Sequence, residues 1–137
     1  VIDWDLNLDT HLQTNRYMAP KPVRDMAEMK AAGYVETWIC YKSDAFGAKE
    51  LTVLPGQTVT IKDSAAYGII MMQGRGTMGV WEIETPSLIR YGQLTNDEFF
   101  ICEQAAKEGV TIVNKSTTDP IVMLKHYGPG NPDLVLG

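Results

Sequence analysis

After Gly33 the chain breaks into short segments rich in branched and aromatic residues: 34–41, 49–54, 57–62, 67–73, 77–84, 87–91, 98–103, 109–114 and 121–127. Gly, Pro, Asn or Asp lies between most of them. Short runs of this kind joined by tight turns predict an all-β barrel or sandwich, and eight or nine strands suit a jelly roll. Residues 1–21 are polar and carry no clean period, so they are expected to form an extended arm, pinned by Trp4 and Tyr17. Pro22 to Ala32 has proline at a first helical position, good helix formers, and Gly33 as a stop, which predicts one short helix. The expected division is arm and helix over 1–33 and barrel over 34–137.

At 137 residues, with 45% hydrophobic and 21% charged residues, the chain has the size and composition of one globular domain. A formal charge of -5 argues against a nucleic-acid or acidic-membrane surface, because both require clustered Lys and Arg. No run approaches the roughly 18 apolar residues of a membrane span. The acidic amino end is unlike a signal peptide, so a cytoplasmic location is expected. Cys40 and Cys102 fall in expected strands and are read as buried, reduced thiols. Asn114-Lys115-Ser116 matches a glycosylation acceptor, a triplet short enough to arise by chance.

The stretch LPGQTVTIKDSAAYGIIMMQGRGTM, Leu54 to Met78, has a Pro55-Gly56 turn, an alternating strand, a polar corner at Asp63-Ser64 and an apolar run ending in Gly74-Arg75-Gly76. This order resembles the first motif of the cupin family. That motif carries two histidines one residue apart, then a glutamate, then a glycine seven positions beyond the glutamate. Anchoring on Gly74 puts Tyr67 at the glutamate position and Ile61 and Asp63 at the histidine positions. A spacer one residue longer would put Thr60 and Lys62 there instead. The second motif resembles FFICEQAAKEGVTIVN, ending on Asn114, with Val110 at its histidine position. Over residues 34 to 130 the resemblance implies a cupin-type jelly-roll barrel that has lost its metal ligands. It also implies an oligomer, either a homodimer or a pairing with a second cupin domain of a longer chain; a start at Val1 fits the second half of a two-cupin protein.

The chain has two histidines, His11 in the arm and His126 in the last expected strand, too few to complete a transition-metal site with Asp63. No metal and no cofactor are expected. Metal-free proton transfer needs a base and an acid at one substrate carbon, and His126 and Tyr67 are the catalytic candidates. Lys49, Glu50, Asp63, Met71 and Lys125 are the candidates for lining a pocket. Strand alternation sets Lys125 and His126 on opposite faces of 121–127, so they are poor partners for one site. Each has an ordinary reading as well: His126 as a structural or surface histidine, Tyr67 as a barrel-lining aromatic, Lys49-Glu50 as a solvated pair, Gly74-Arg75-Gly76 as a hairpin turn. Trp38 and Trp81 could stack on a sugar, though tryptophan on a strand more often packs in a core.

Three functions follow. The first is a non-catalytic cupin for assembly or for binding a small polar, sugar-like ligand. The second is a sugar or sugar-phosphate isomerase or epimerase, metal-free or completed by a missing half. The third is a small-molecule sensor domain.

Overall fold

The computed structural model describes residues 4–11 and 18–134. Alternation of inward apolar and outward polar residues builds a curled antiparallel sheet. Its strands are β1 (Lys21–Pro22), β2 (Tyr34–Cys40), β3 (Gly47–Val53), β4 (Thr58–Ile61), β5 (Tyr67–Met78), β6 (Trp81–Thr85), β7 (Glu98–Ile101), β8 (Val110–Asn114) and β9 (Ile121–Tyr127). The ladder runs β1-β2-β3-β9-β5-β8-β4, with β6 and β7 also on β5. The first half of β5 pairs with β7 and β9, and the second half with β6 and β8. β5 therefore joins the two walls of the barrel. Leu51 opposes Met123, which in turn opposes Met71, and all three are buried between the walls.

Gly74-Arg75-Gly76 lies within β5 and is not the expected hairpin, which instead follows Met78, where Met78 faces Trp81. Close approach explains the glycines. A Cβ at Gly76 would stand 2.0 Å from the carbonyl oxygen of Val113, and one at Gly74 would stand 2.7 Å from that of Pro120.

Three further expectations change. Residues 87–91 form no strand; Leu88, Ile89 and Tyr91 are exposed in a loop, and without a ladder partner their β-propensity is not realised. Cys102, expected to be buried, is exposed at the amino end of the helix α3 (Glu103–Glu108), which buries Ala106, and Cys40 is half-buried. The expected helix over 22–32 shortens to α2 (Met26–Ala31), because the Asp25 carboxylate caps it by accepting from Ala27 N and Glu28 N at 3.0 and 3.1 Å. Pro22 instead pairs in β1, opposite Thr37.

In the arm, Trp4–Asn7 forms a helical turn, α1, and Trp4 is exposed where burial was expected. Tyr17 lies outside the described residues. The arm docks instead through Met18, which packs on the core, and through Ala19, whose carbonyl accepts from Tyr41 Oη at 2.9 Å. Asn114 closes the opposite end. Its buried Nδ2 donates to the carbonyls of Val53, Leu54 and Asp119 at 3.1, 3.2 and 2.9 Å. Among the described residues no helix is long and apolar enough to cross a membrane.

Candidate functional site: a buried ionic cluster beneath a cleft

Inward positions of three neighbouring strands carry charges where apolar residues would be expected. β2 contributes Glu36 and Trp38, β3 contributes Lys49, and β9 contributes Lys125 and Tyr127, while Asp63 enters from the corner after β4. Trp38, Lys49 and Lys125 are consecutive cross-strand partners, and Gly47, Tyr127 and Tyr67 form the next row. The two lysines thus lie side by side in a ladder, an arrangement that repels unless anions separate them.

Asp63 supplies that separation. Its Oδ1 accepts from Lys49 Nζ at 2.7 Å and its Oδ2 from Lys125 Nζ at 2.5 Å. Lys125 also donates to Glu36 Oε1 at 2.7 Å, and Lys49 stands 3.6 Å from the same oxygen. Tyr127 Oη donates to Asp63 Oδ1 at 2.7 Å. Rings cover the remaining faces of the ammonium groups. Lys49 Nζ lies 4.7 Å from the Trp38 ring centre and Lys125 Nζ 4.6 Å from that of Tyr67, within cation–π range. All four charged residues are at most 5% exposed, and their two positive and two negative charges cancel.

Burial pushes the Asp63 carboxyl up, but Lys125 and Lys49 outweigh it and hold the group below its usual range. Burial, with Asp63 and Glu36 adding to it, pushes the Tyr67 phenol up; Tyr127 is pushed up by burial and by its bond to Asp63. Both phenols are therefore neutral donors near pH 7. An alkaline titration followed by phenolate absorbance should show at least two of the six tyrosines failing to ionise in the usual range near pH 10. If all six titrated in one ordinary step, the cluster would not be buried as described.

Tyr67, a catalytic candidate, and Lys49, Asp63 and Lys125, candidates for lining a pocket, converge here. Lys49 is a core residue and not half of a solvated pair, whereas Glu50, next along β3, is exposed. Met71 lies one layer deeper, against Met123. His126 is exposed on the outer face of β9, opposite Gly68, while the Tyr67 side chain is buried in the cluster; both residues also border a second cleft of about 500 Å³. Trp38 is buried in the cluster, while Trp81 is exposed. Glu36 and Tyr127 were missed as site residues. A signal for both existed, since Glu36 shares a strand face with Trp38, and Tyr127 with Lys125.

The residues present do not fit a metal. At the positions aligned with the cupin ligands stand Ile61, Asp63, Tyr67 and Val110, all buried. Asp63 is the one carboxylate among them and both of its oxygens are committed to ammonium groups, while the Tyr67 phenol, pushed up by burial, stays protonated. Among the described residues no group of three or more His, Cys, Asp or Glu could hold an ion.

Above the cluster opens a cleft of about 520 Å³. Trp38, Lys49 and Asp63 form part of its floor, and Lys21, Arg24 and Lys62 part of its wall. β1 explains one side of it: Lys21 pairs with Trp38 in register, which puts both side chains on the barrel-facing side.

No protein-family model matches the sequence, and no curated protein matches it. Solved structures do match. An RmlC-like cupin from Ralstonia eutropha JMP134 aligns over 81% of this chain and 63% of its own, with a TM-score of 0.52 and 8% identity. The chain has the cupin fold. A cupin-2 barrel protein from Rhodopseudomonas palustris aligns over 82% of this chain and 72% of its own, with a TM-score of 0.51 and 13% identity. The polyketide cyclase RemF from Streptomyces resistomycificus aligns over 73% and 68%, with a TM-score of 0.51 and 13% identity. The chain spans less than two thirds of the Ralstonia protein's length. At such identities the likeness carries the fold, and what this chain does must be argued from its own side chains.

Proposed function

We propose that this cupin is a non-catalytic domain that binds a small polar ligand in the cleft at the barrel mouth. The observation that carries the reading is the closed set of partners around Asp63. Proton transfer needs a base with a free lone pair facing the substrate. Here both Asp63 oxygens accept from ammonium groups, and Tyr127 adds a third donor. Lys125 is held between Glu36 and Asp63, the phenols stay protonated, and His126 lies outside. What remains is a rigid, polar floor with an aromatic neighbour, suited to holding a molecule and not to converting it.

The test is a titration of labelled protein with a panel of sugars and small organic acids, followed by two-dimensional NMR and by analysis of the recovered compound. The expected result is a binder that shifts the Trp38 indole N–H and the Lys49 amide and is recovered unchanged. Conversion of the binder to a product would overturn the non-catalytic reading, and shifts confined to surfaces away from the cleft would remove the site.

A further inference from the structure

The cleft's charge is opposite to that of the chain as a whole. With 12 basic and 17 acidic residues the protein is net acidic, yet its cleft is lined by Lys21, Arg24, Lys49, Lys62 and Lys107 against only Asp63 and Asp133. Two of these cations are already matched, Lys49 by Asp63 and Lys107 by Glu103. Lys21, Arg24 and Lys62 are exposed and make no ion pair among the described residues. They come from two separate stretches of chain, β1 with its connection to α2 and the corner after β4, and the fold brings both to one opening. A concave wall of like charge focuses its field on whatever enters.

We infer that the ligand of this cleft is a small oxyanion, a carboxylate or a phosphate, held by Arg24, Lys21 and Lys62 above the floor formed by Trp38 and Lys49. The inference rests on the binding reading above and adds the ligand's chemical class. Arg24 offers a planar fork suited to two oxygens of one anion, and the lysines add point charges. Ser64, also in the lining, supplies a hydroxyl donor. The charges of the cluster beneath cancel in sum, so the excess positive charge at the opening comes from the unmatched cations of the wall.

The test uses three probes on the intact chain: inorganic phosphate, succinate and uncharged glucose, each titrated while the Trp38 indole N–H is followed. One or both anions should bind more tightly than glucose, and binding should weaken as salt is raised. Tighter phosphate identifies a phosphoryl group, tighter succinate a carboxylate. In the double variant R24Q/K62Q, anion affinity should fall about tenfold or more, the effect of losing charge-assisted hydrogen bonds. Both side chains are exposed, so the fold should be unaffected, and K115Q, which removes a cation paired with Glu82 away from the cleft, should bind as the wild type does. Anion affinity unchanged in R24Q/K62Q overturns the inference. Glucose binding as tightly as the anions, with Trp38 shifted, overturns the ligand class and leaves the binding reading standing. If none of the three probes moves the Trp38 signal, both fall.

Discussion

Replacing Asp63 by asparagine should cost the fold about 3–5 kcal/mol, the usual effect of removing one partner from a buried ion cluster. Asparagine has nearly the same shape, so packing is not the cause. The substitution removes the negative charge that touches both ammonium groups, and leaves Lys49 and Lys125 adjacent in the β3–β9 ladder with Glu36 as their only carboxylate. Against a total stability of about 5–15 kcal/mol for a domain of this kind, that is a large fraction.

Urea unfolding of the wild type and Asp63→Asn measures the loss, and adding Lys125→Met tests its origin. The double variant should lose less than the sum of the two single ones, because removing Lys125 relieves the repulsion that Asp63→Asn creates. Additive losses, or a loss for Asp63→Asn under about 1 kcal/mol, would mean that water reaches the cluster.

The same carboxylate gives the protein a signed dependence on pH. The folded-state pKa of Asp63 lies below its ordinary 3.8, so its contribution is present above that value. It is lost as pH falls through the lower folded value. The stability gap between wild type and Asp63→Asn should therefore hold steady from neutrality to about pH 4 and narrow below it.

The second large effect is at Gly76. An alanine there would set its Cβ 2.0 Å from the Val113 carbonyl oxygen, a backbone atom of β8 that is fixed by pairing with both β4 and β5. No side chain can rotate away to make room, so relief requires opening the β5–β8 ladder at Gly76–Asn114. We expect Gly76→Ala to lose about 3 kcal/mol or more, at or beyond the upper end of ordinary overpacking. Gly68→Ala is the matched control on the same strand: the nearest neighbour of its Cβ would be the Phe99 carbonyl oxygen at 4.0 Å, and its stability should change by less than about 1 kcal/mol. Equal midpoints for the two variants in denaturant would refute the close approach.

Alternation made much of this legible in advance. Lys125 and His126 had to point opposite ways on β9, and they do, with Lys125 buried and His126 exposed. The strand pattern gave the barrel because a period of two survives in any sequence with one buried face. What could not be read was which charges meet. Lys125 is 62 residues from Asp63 and 89 from Glu36, and only the pairing of β2, β3 and β9 brings them within a hydrogen bond. Residues 87–91 misled for a related reason, since a strand needs a neighbour and local composition does not supply one. At Gly74 to Gly76 the residues fitted either a turn or a close strand contact, and the distance to β8 decides between them.

The arrangement of charges in two tiers has a consequence for how such a domain can change over generations. Lys49, Asp63, Lys125 and Glu36 hold the barrel together and are bound to one another, while Lys21, Arg24 and Lys62 face water and support nothing beneath them. If the oxyanion inference holds, structural duty and most of the ligand discrimination fall on different side chains. A new specificity can be tried by single exchanges at the opening, each nearly free of any folding penalty, on a foundation that stays the same.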